Sequence, residues 1–260
     1  MLLVHGTFTN PEETWSWGYQ RVLRAAGHPV CTVTLPHRAE IDLQISVEYV
    51  VHAIRTAHSR SSKEIAVVGH SQGGVLIPWA LRFWPDLVGM VDDAIALAGP
   101  QQGTDLGTVL CVAGRCPDVV WQMRTGSNWT TALGSGPIPG AVSFSSIGSY
   151  LDELVFPAPR ATTFPGATNV IVQDACPLRP VDHALMLSDA AVHALVMDAI
   201  DHPGPVRPER VARSVCALAD YPGLDPLGRT QLLNTAIALA SAFGTLPYTA
   251  HEPPLRDYAT

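Results

Sequence analysis

At 260 residues the chain can hold one large α/β domain or two small ones. Its 47% hydrophobic and only 15% charged residues describe a globular protein with a large core, not a disordered one. A net charge of −7 without any lysine–arginine cluster argues against nucleic acid as a partner. No stretch approaches the roughly 18 continuous apolar residues that a transmembrane segment needs.

Residues 2–5, Leu-Leu-Val-His, predict a strand, and Gly6-Thr7 opens a loop that runs through Pro11. Met1 leads straight into that strand, with no positive n-region and no cleavage-site pattern, so it is not read as a signal peptide. A chain starting inside a strand is expected to lack residues upstream. Residues 15–26 predict a helix ended by Gly27, a common helix-stop residue. Residues 30–35 predict a second strand closed by Pro36. Residues 43–58 carry Ile45, Val47, Val50, Val51 and Ile54 in a near-helical stripe.

The centre of the chain is 65–74. Ile65-Ala66-Val67-Val68 is a short, wholly apolar run of the kind buried on both faces of a parallel sheet. Gly69-His70-Ser71-Gln72-Gly73 then matches G-x-S-x-G, and residues 75–84 read as a helix. Strand, tight glycine turn and helix are the context of a nucleophile elbow, which lifts a serine hydroxyl above the sheet edge. Ser71 is therefore the candidate nucleophile. A further strand is expected at 91–98, and strands alternating with helices at this spacing imply a mainly parallel sheet covered on both faces.

The stretch 99–140 breaks the rhythm. It is rich in Gly, Thr, Ser and Pro, and an irregular insertion of this length is commonly a lid or pocket wall. Its apolar residues, among them Leu106, Leu110, Val119, Val120 and Trp121, either wall an acyl pocket or cap the core. Strands resume at 141–147 and 168–172, and helices are expected at 185–200 and 227–243. Too little chain follows the proline-rich connector 203–208 for a second domain, so 1–260 is expected to be one α/β domain.

A serine nucleophile needs a general base, and the base needs a carboxylate to fix its tautomer. In a chain with this elbow the order is Ser, then Asp or Glu, then His. His183 lies on a loop after the strand 168–172 and is the candidate base, whereas His193 and His202 sit in or beyond the next helix. Asp152, after the strand 141–147, is the candidate acid, with Glu153 beside it as a rival. Asp174 is a further alternative, and Asp182 reads as a loop-shaping neighbour. Oxyanion donors are expected at Gln72, which follows the nucleophile, and in the loop His5-Gly6-Thr7, where Thr7 adds a hydroxyl. The ten histidines are scattered, and neither a metal-ligand spacing nor a dinucleotide or phosphate loop is present, so no metal or cofactor is expected.

Of the five cysteines, Cys111 and Cys116 are close in a Gly/Pro-containing loop, and Cys176 and Cys216 flank the region of His183. Two pairs with Cys31 left over fit an exported protein; five free thiols would fit a cytosolic one.

Several stretches together resemble the Candida antarctica lipase B type of serine lipase. They are Leu2-Leu3-Val4-His5-Gly6-Thr7, Glu48-Tyr49-Val50-Val51-His52-Ala53-Ile54 and Ser71-Gln72-Gly73-Gly74. Trp121-Gln122 with Thr125-Gly126-Ser127, Asp152-Glu153-Leu154-Val155 and Val181-Asp182-His183-Ala184 add to them. The resemblance covers nearly the whole chain. It implies an α/β-hydrolase fold and a secreted carboxylic-ester hydrolase acting on lipid esters, with transient contact at lipid interfaces. By the same likeness the acid is Asp152, the base His183, and the oxyanion donors Thr7 and Gln72. It also implies a Cys176–Cys216 disulfide and gives Cys31 a partner upstream of Met1. Two departures bear on specificity: His70 stands where the family has a pocket tryptophan, and Gln101 where it has an acidic residue. An acyltransferase, or a binding protein on the same scaffold, is the alternative reading.

Overall fold

The computed structural model describes residues 1–138, 140, 142–231, 233, 234, 237, 241 and 245–260. Strands and helices alternate through β1 (Leu2–Val4), α1 (Tyr19–Ala25), β2 (Cys31–Val33), α2 (Leu43–Ser61), β3 (Ile65–His70), α3 (Gln72–Phe83) and β4 (Val91–Leu97). Three short helices follow, α4 (Asp105–Leu110), α5 (Asp118–Met123) and α6 (Asn128–Leu133). Beyond them come β5 (Ser143–Gly148), β6 (Thr168–Ile171), α7 (Val172–Ala175) and α8 (Ala190–Asp201). The six strands pair in parallel in the order β2-β1-β3-β4-β5-β6. That order reverses between β1 and β3, and such a switch point opens a crevice at the carboxyl ends of the strands. Thr7 follows β1 and Ser71 follows β3, so both stand at that crevice.

Side chains alternate across the sheet with the period of two that strands impose. Val67, Ala94 and Ala96 face a core shared with α2, α3 and the insertion. Val68, Ile95 and Leu97 face a second core shared with α1 and α8. Each large aliphatic side chain buried in this way contributes about 1.5–3 kcal/mol.

Several expected elements differ from those observed. The helix expected at 15–26 is a π-helical turn, Glu12–Ser16, followed by α1. The break falls at Gly18, where a Cβ would lie 2.3 Å from the Tyr221 hydroxyl. The helix expected at 185–200 is likewise divided, into the turn Leu185–Leu187 and α8. Asp189 caps α8, accepting from the N–H groups of Ala191 and Val192 at 2.7 and 3.1 Å.

The insertion 99–140 is not irregular, since it contains α4, α5 and α6. Six-residue helices hold too few turns to show a period. Its residues divide between the border of a cavity and the core. Trp129 stacks on Trp79 of α3 with centroids 4.3 Å apart, while Leu106 and Leu110 border the cavity described below. Gln122 binds the first turn of α2 on both sides of its amide, accepting from Leu43 N–H at 2.8 Å and donating to Asp42 at 2.5 Å. The helix expected at 227–243 begins inside the turn Pro226–Arg229 and lies otherwise largely outside the described residues, as does Ala141.

Pro78 inside α3 leaves the Gly74 carbonyl without its helical donor. Gln101 supplies the missing bond, its Nε2 donating to that carbonyl at 3.0 Å. Gln101 is fully buried and structural, outside the cavity lining. Disulfides join Cys111 to Cys116 and Cys176 to Cys216, and Cys31 is free and exposed. Arg179, also buried, locks the second bridge to α8. Its Nε donates to Asp189 at 2.5 Å and its Nη1 to the Cys216 carbonyl at 2.9 Å.

Candidate active site

The elbow forms because its glycines permit approaches that no side chain allows. A Cβ at Gly69 would meet the Gly73 carbonyl oxygen at 2.3 Å, and one at Gly73 would meet the Val4 oxygen at 2.3 Å. Ser71 itself takes φ 55° and ψ −122°, a sparsely populated conformation that costs on the order of 1–3 kcal/mol. The sheet holds it there: its N–H donates to the Leu97 carbonyl at 2.8 Å. The strain sets the serine at the start of α3, whose partial positive end favours negative charge.

His183 and Asp152 meet as the candidate base and acid should. The Nδ1 of His183 lies 2.9 and 3.0 Å from the two carboxylate oxygens of Asp152. Two backbone N–H groups, Leu154 at 2.9 Å and Val155 at 2.7 Å, hold that carboxylate in place. Glu153 does not compete for the ring; its carboxylate accepts instead from the backbone N–H of His183 at 3.1 Å. Asp182 receives the N–H of Leu185 at 2.7 Å and shapes the loop. Asp174 is exposed on α7. Burial lowers the affinity of His183 for a proton, but the charge and hydrogen bond of Asp152, with Glu153 and Asp182 behind it, outweigh that and raise its pKa.

Ser71, His183, Gly6 and Thr7 border one cavity of about 220 Å³, walled otherwise mainly by apolar groups such as Leu106, Leu110 and Leu154. Among the described residues no hydrogen bond joins Ser71 to His183; such bonds commonly tighten only with substrate bound. Gln72 and Thr7 are joined directly, Nε2 of Gln72 donating to the Thr7 hydroxyl oxygen at 3.0 Å and to the Ala39 carbonyl at 2.8 Å. With its oxygen engaged as an acceptor, the Thr7 hydroxyl keeps its own proton to donate.

Two features escaped the sequence reading. His70 does not merely stand beside the nucleophile, since its ring touches the loop of His183. Glu153, read as a rival acid, holds the backbone of the base; its place next to Asp152 was the available signal. Among the described residues no cluster of three or more His, Cys, Asp or Glu stands ready for a metal ion.

No protein-family model matches the chain. It is 28% identical to lipase B of Pseudozyma antarctica over an alignment of 268 positions, covering all of this chain and 78% of that one. Among solved structures, Aspergillus fumigatus lipase B superimposes with a TM-score of 0.89 at 30% identity, covering all of this chain and 66% of its own. A metagenomic carboxyl esterase shares the fold alone, with a TM-score of 0.53 at 15% identity, over 93% of this chain and 75% of that one. The chain has the α/β-hydrolase fold. Its likeness within that fold is to the lipase B type, and this likeness supports a carboxylic-ester hydrolase.

Proposed function

We propose that the protein hydrolyses acylglycerols or related lipid esters through a Ser71–His183–Asp152 triad, as a single domain spanning 1–260. The observation that carries this reading is the Asp152–His183 contact at 2.9 Å on the wall of the cavity that Ser71 enters. Asp152 orients the ring so that Nε2, the nitrogen not held by the carboxylate, serves as the base. His183 takes the Ser71 proton as Oγ attacks the ester carbonyl, whose π electrons pass to the carbonyl oxygen. That oxyanion is met by the backbone N–H groups of Thr7 and Gln72 and by the Thr7 hydroxyl. Collapse of the tetrahedral intermediate expels the alcohol, which takes the proton from His183. Water, activated by the same histidine, then releases the acid and restores Ser71. The apolar cavity walls supply the acyl site. Export to an oxidising compartment agrees with the two disulfides. Transient contact with lipid interfaces agrees with the exposed Val109 and Val112 on the outer side of the wall.

The test is hydrolysis of p-nitrophenyl butyrate and palmitate by the native protein and by Ser71→Ala, with labelling by a serine-directed phosphonate. Turnover that falls on the order of 10³-fold or more with Ser71→Ala, and label confined to Ser71, is the expected result. Undiminished turnover by folded Ser71→Ala would overturn the reading. Transfer of the acyl group to added alcohol in preference to water would favour an acyltransferase.

A further inference from the structure

The loop that carries Thr7 is held by Thr9 and Glu13, which border the cavity, and by His5 and Arg38, which stand outside its lining. Behind Thr7, the Gly6 carbonyl accepts from Thr9 Oγ1 at 2.8 Å and from the His5 ring at 2.8 Å. Ahead of it, Phe8 takes a left-handed backbone, φ 64°, and both its backbone polar groups meet one residue. Its N–H donates to the Arg38 carbonyl at 2.9 Å, and its carbonyl accepts from Arg38 Nη2 at 2.5 Å. The same guanidinium forks onto the Glu13 carboxylate at 2.7 and 3.2 Å.

Arg38 is the middle of three consecutive left-handed residues, none of them glycine: His37 at φ 46°, Arg38 at 53° and Ala39 at 60°. A run of this kind is disfavoured and persists only where its surroundings over-determine it. Here the run turns the Arg38 carbonyl and side chain together onto Phe8. It also aims the Ala39 carbonyl at Gln72, whose amide binds the Thr7 hydroxyl oxygen in turn. One strained segment thus grips both residues assigned above as oxyanion donors.

We propose that Arg38 is a positioning residue of the oxyanion hole, its guanidinium clamped by Glu13 so as to fix the Phe8 peptide and the direction in which Thr7 presents its donors. The proposal rests on the ester-hydrolase reading. Arg38 touches no reacting atom and acts through Phe8. Its fork is what the arrangement uses, because one planar group must bond a carbonyl and a carboxylate at once, and an ammonium lacks that geometry. Misdirected donors lose their value mainly where charge develops, so the transition state should suffer and the ground-state complex should not.

The experiment compares the native protein with Arg38→Ala, Arg38→Lys and Glu13→Gln. It measures kcat and KM for p-nitrophenyl butyrate, and inhibition by a trifluoromethyl ketone, whose serine adduct carries an oxyanion. Arg38→Ala should lower kcat about 10–100-fold with KM within about twofold, and weaken the ketone by a similar factor. Arg38→Lys should fall between it and the native protein, and Glu13→Gln should lose less than either. A purely structural residue would lower the melting temperature while leaving the kcat of the folded fraction and the ketone unchanged, and that result would overturn the proposal. If Arg38→Ala does not fold, Arg38→Lys and Glu13→Gln carry the test, and undiminished kcat and ketone binding in both would overturn it equally. A native protein without Ser71-dependent turnover would instead remove the reading on which the proposal rests.

Discussion

The Nε2–H of His70 donates to the backbone carbonyl of His183 at 3.0 Å, with the two rings 4.8 Å apart. The residue before the proposed nucleophile thereby holds the loop of the proposed base. Burial, and then the nearby His183, push the His70 pKa down to about 3, so its ring is neutral at any working pH and keeps this donor.

His70→Phe should therefore leave the His183 carbonyl buried and unpaired, a cost of about 1–3 kcal/mol. Ester hydrolysis should fall several-fold through a less well-placed base. The acid limb of kcat/KM should stay where it is, because His70 carries no charge there. A pH–rate profile of the variant checks this, and a displaced limb would refute the neutral-donor role.

The raised pKa of His183 sets that limb. The base must be neutral to accept the serine proton, so kcat/KM should fall as pH drops through a midpoint above the ordinary histidine value of 6.5. Asp152→Asn removes the largest raising influence, so its midpoint should lie lower and its kcat about 10⁴-fold lower. For stability the dependence is opposite: with the folded pKa raised, this pair's contribution is full below 6.5 and is lost as pH rises through the folded value.

Leu110 tests the cavity wall more cleanly than Val120. Leu110 is 38% exposed and borders the cavity, whereas Val120 is 6% exposed and also belongs to the core. Leu110→Asp should raise KM for long acyl esters far more than for butyrate, by somewhat under about 1 kcal/mol for each methylene that loses contact. The melting temperature should scarcely change. Val120→Asp should lose stability and long-chain binding together. Equal slowing of butyrate and palmitate by Leu110→Asp would place the acyl chain elsewhere.

Asp93 on β4 is buried, and its Oδ1 has no hydrogen-bond partner among the described residues. Burial, helped by neighbouring Asp92, pushes its pKa up to about 7 from 3.8. A raised folded pKa means the native state is favoured while the group is protonated, with that advantage lost between about pH 4 and 7. Asp93→Asn should consequently stabilise the protein at pH 8 by about 1–2 kcal/mol, a figure discounted for solvent screening. At pH 4 it should change little. Urea unfolding at the two pH values makes the comparison.

The elbow was legible because everything that defines it is local: the apolar run 65–68, two indispensable glycines and the helix after them. That Asp152 and His183 should meet was legible from their order along the chain and from the family resemblance. What stayed hidden depends on distant contacts. Gly18 breaks a helix because Tyr221, some two hundred positions away, needs the space. Ser188-Asp189 did carry a helix-start signal, but the apolar run around it masked the cap. The Arg38 turn has no glycine to announce it, since contacts with Phe8, Glu13 and Gln72 hold the left-handed residues in place.

The insertion that walls the cavity is finished by residues made long after it. Thr249 pairs with Cys116 in both directions, at 3.0 and 2.9 Å, and receives the Trp121 indole N–H at 3.2 Å. Glu252 caps α6 by accepting from the N–H groups of Asn128 and Trp129, each at 2.8 Å. During synthesis the sheet through β4 can pair while α4 to α6 still lack these contacts. With translation adding about 5–20 residues per second, the wall waits many seconds for its fastening. The cavity thus closes late, and a ribosome-bound chain stopped before 249 would carry the elbow without its finished pocket.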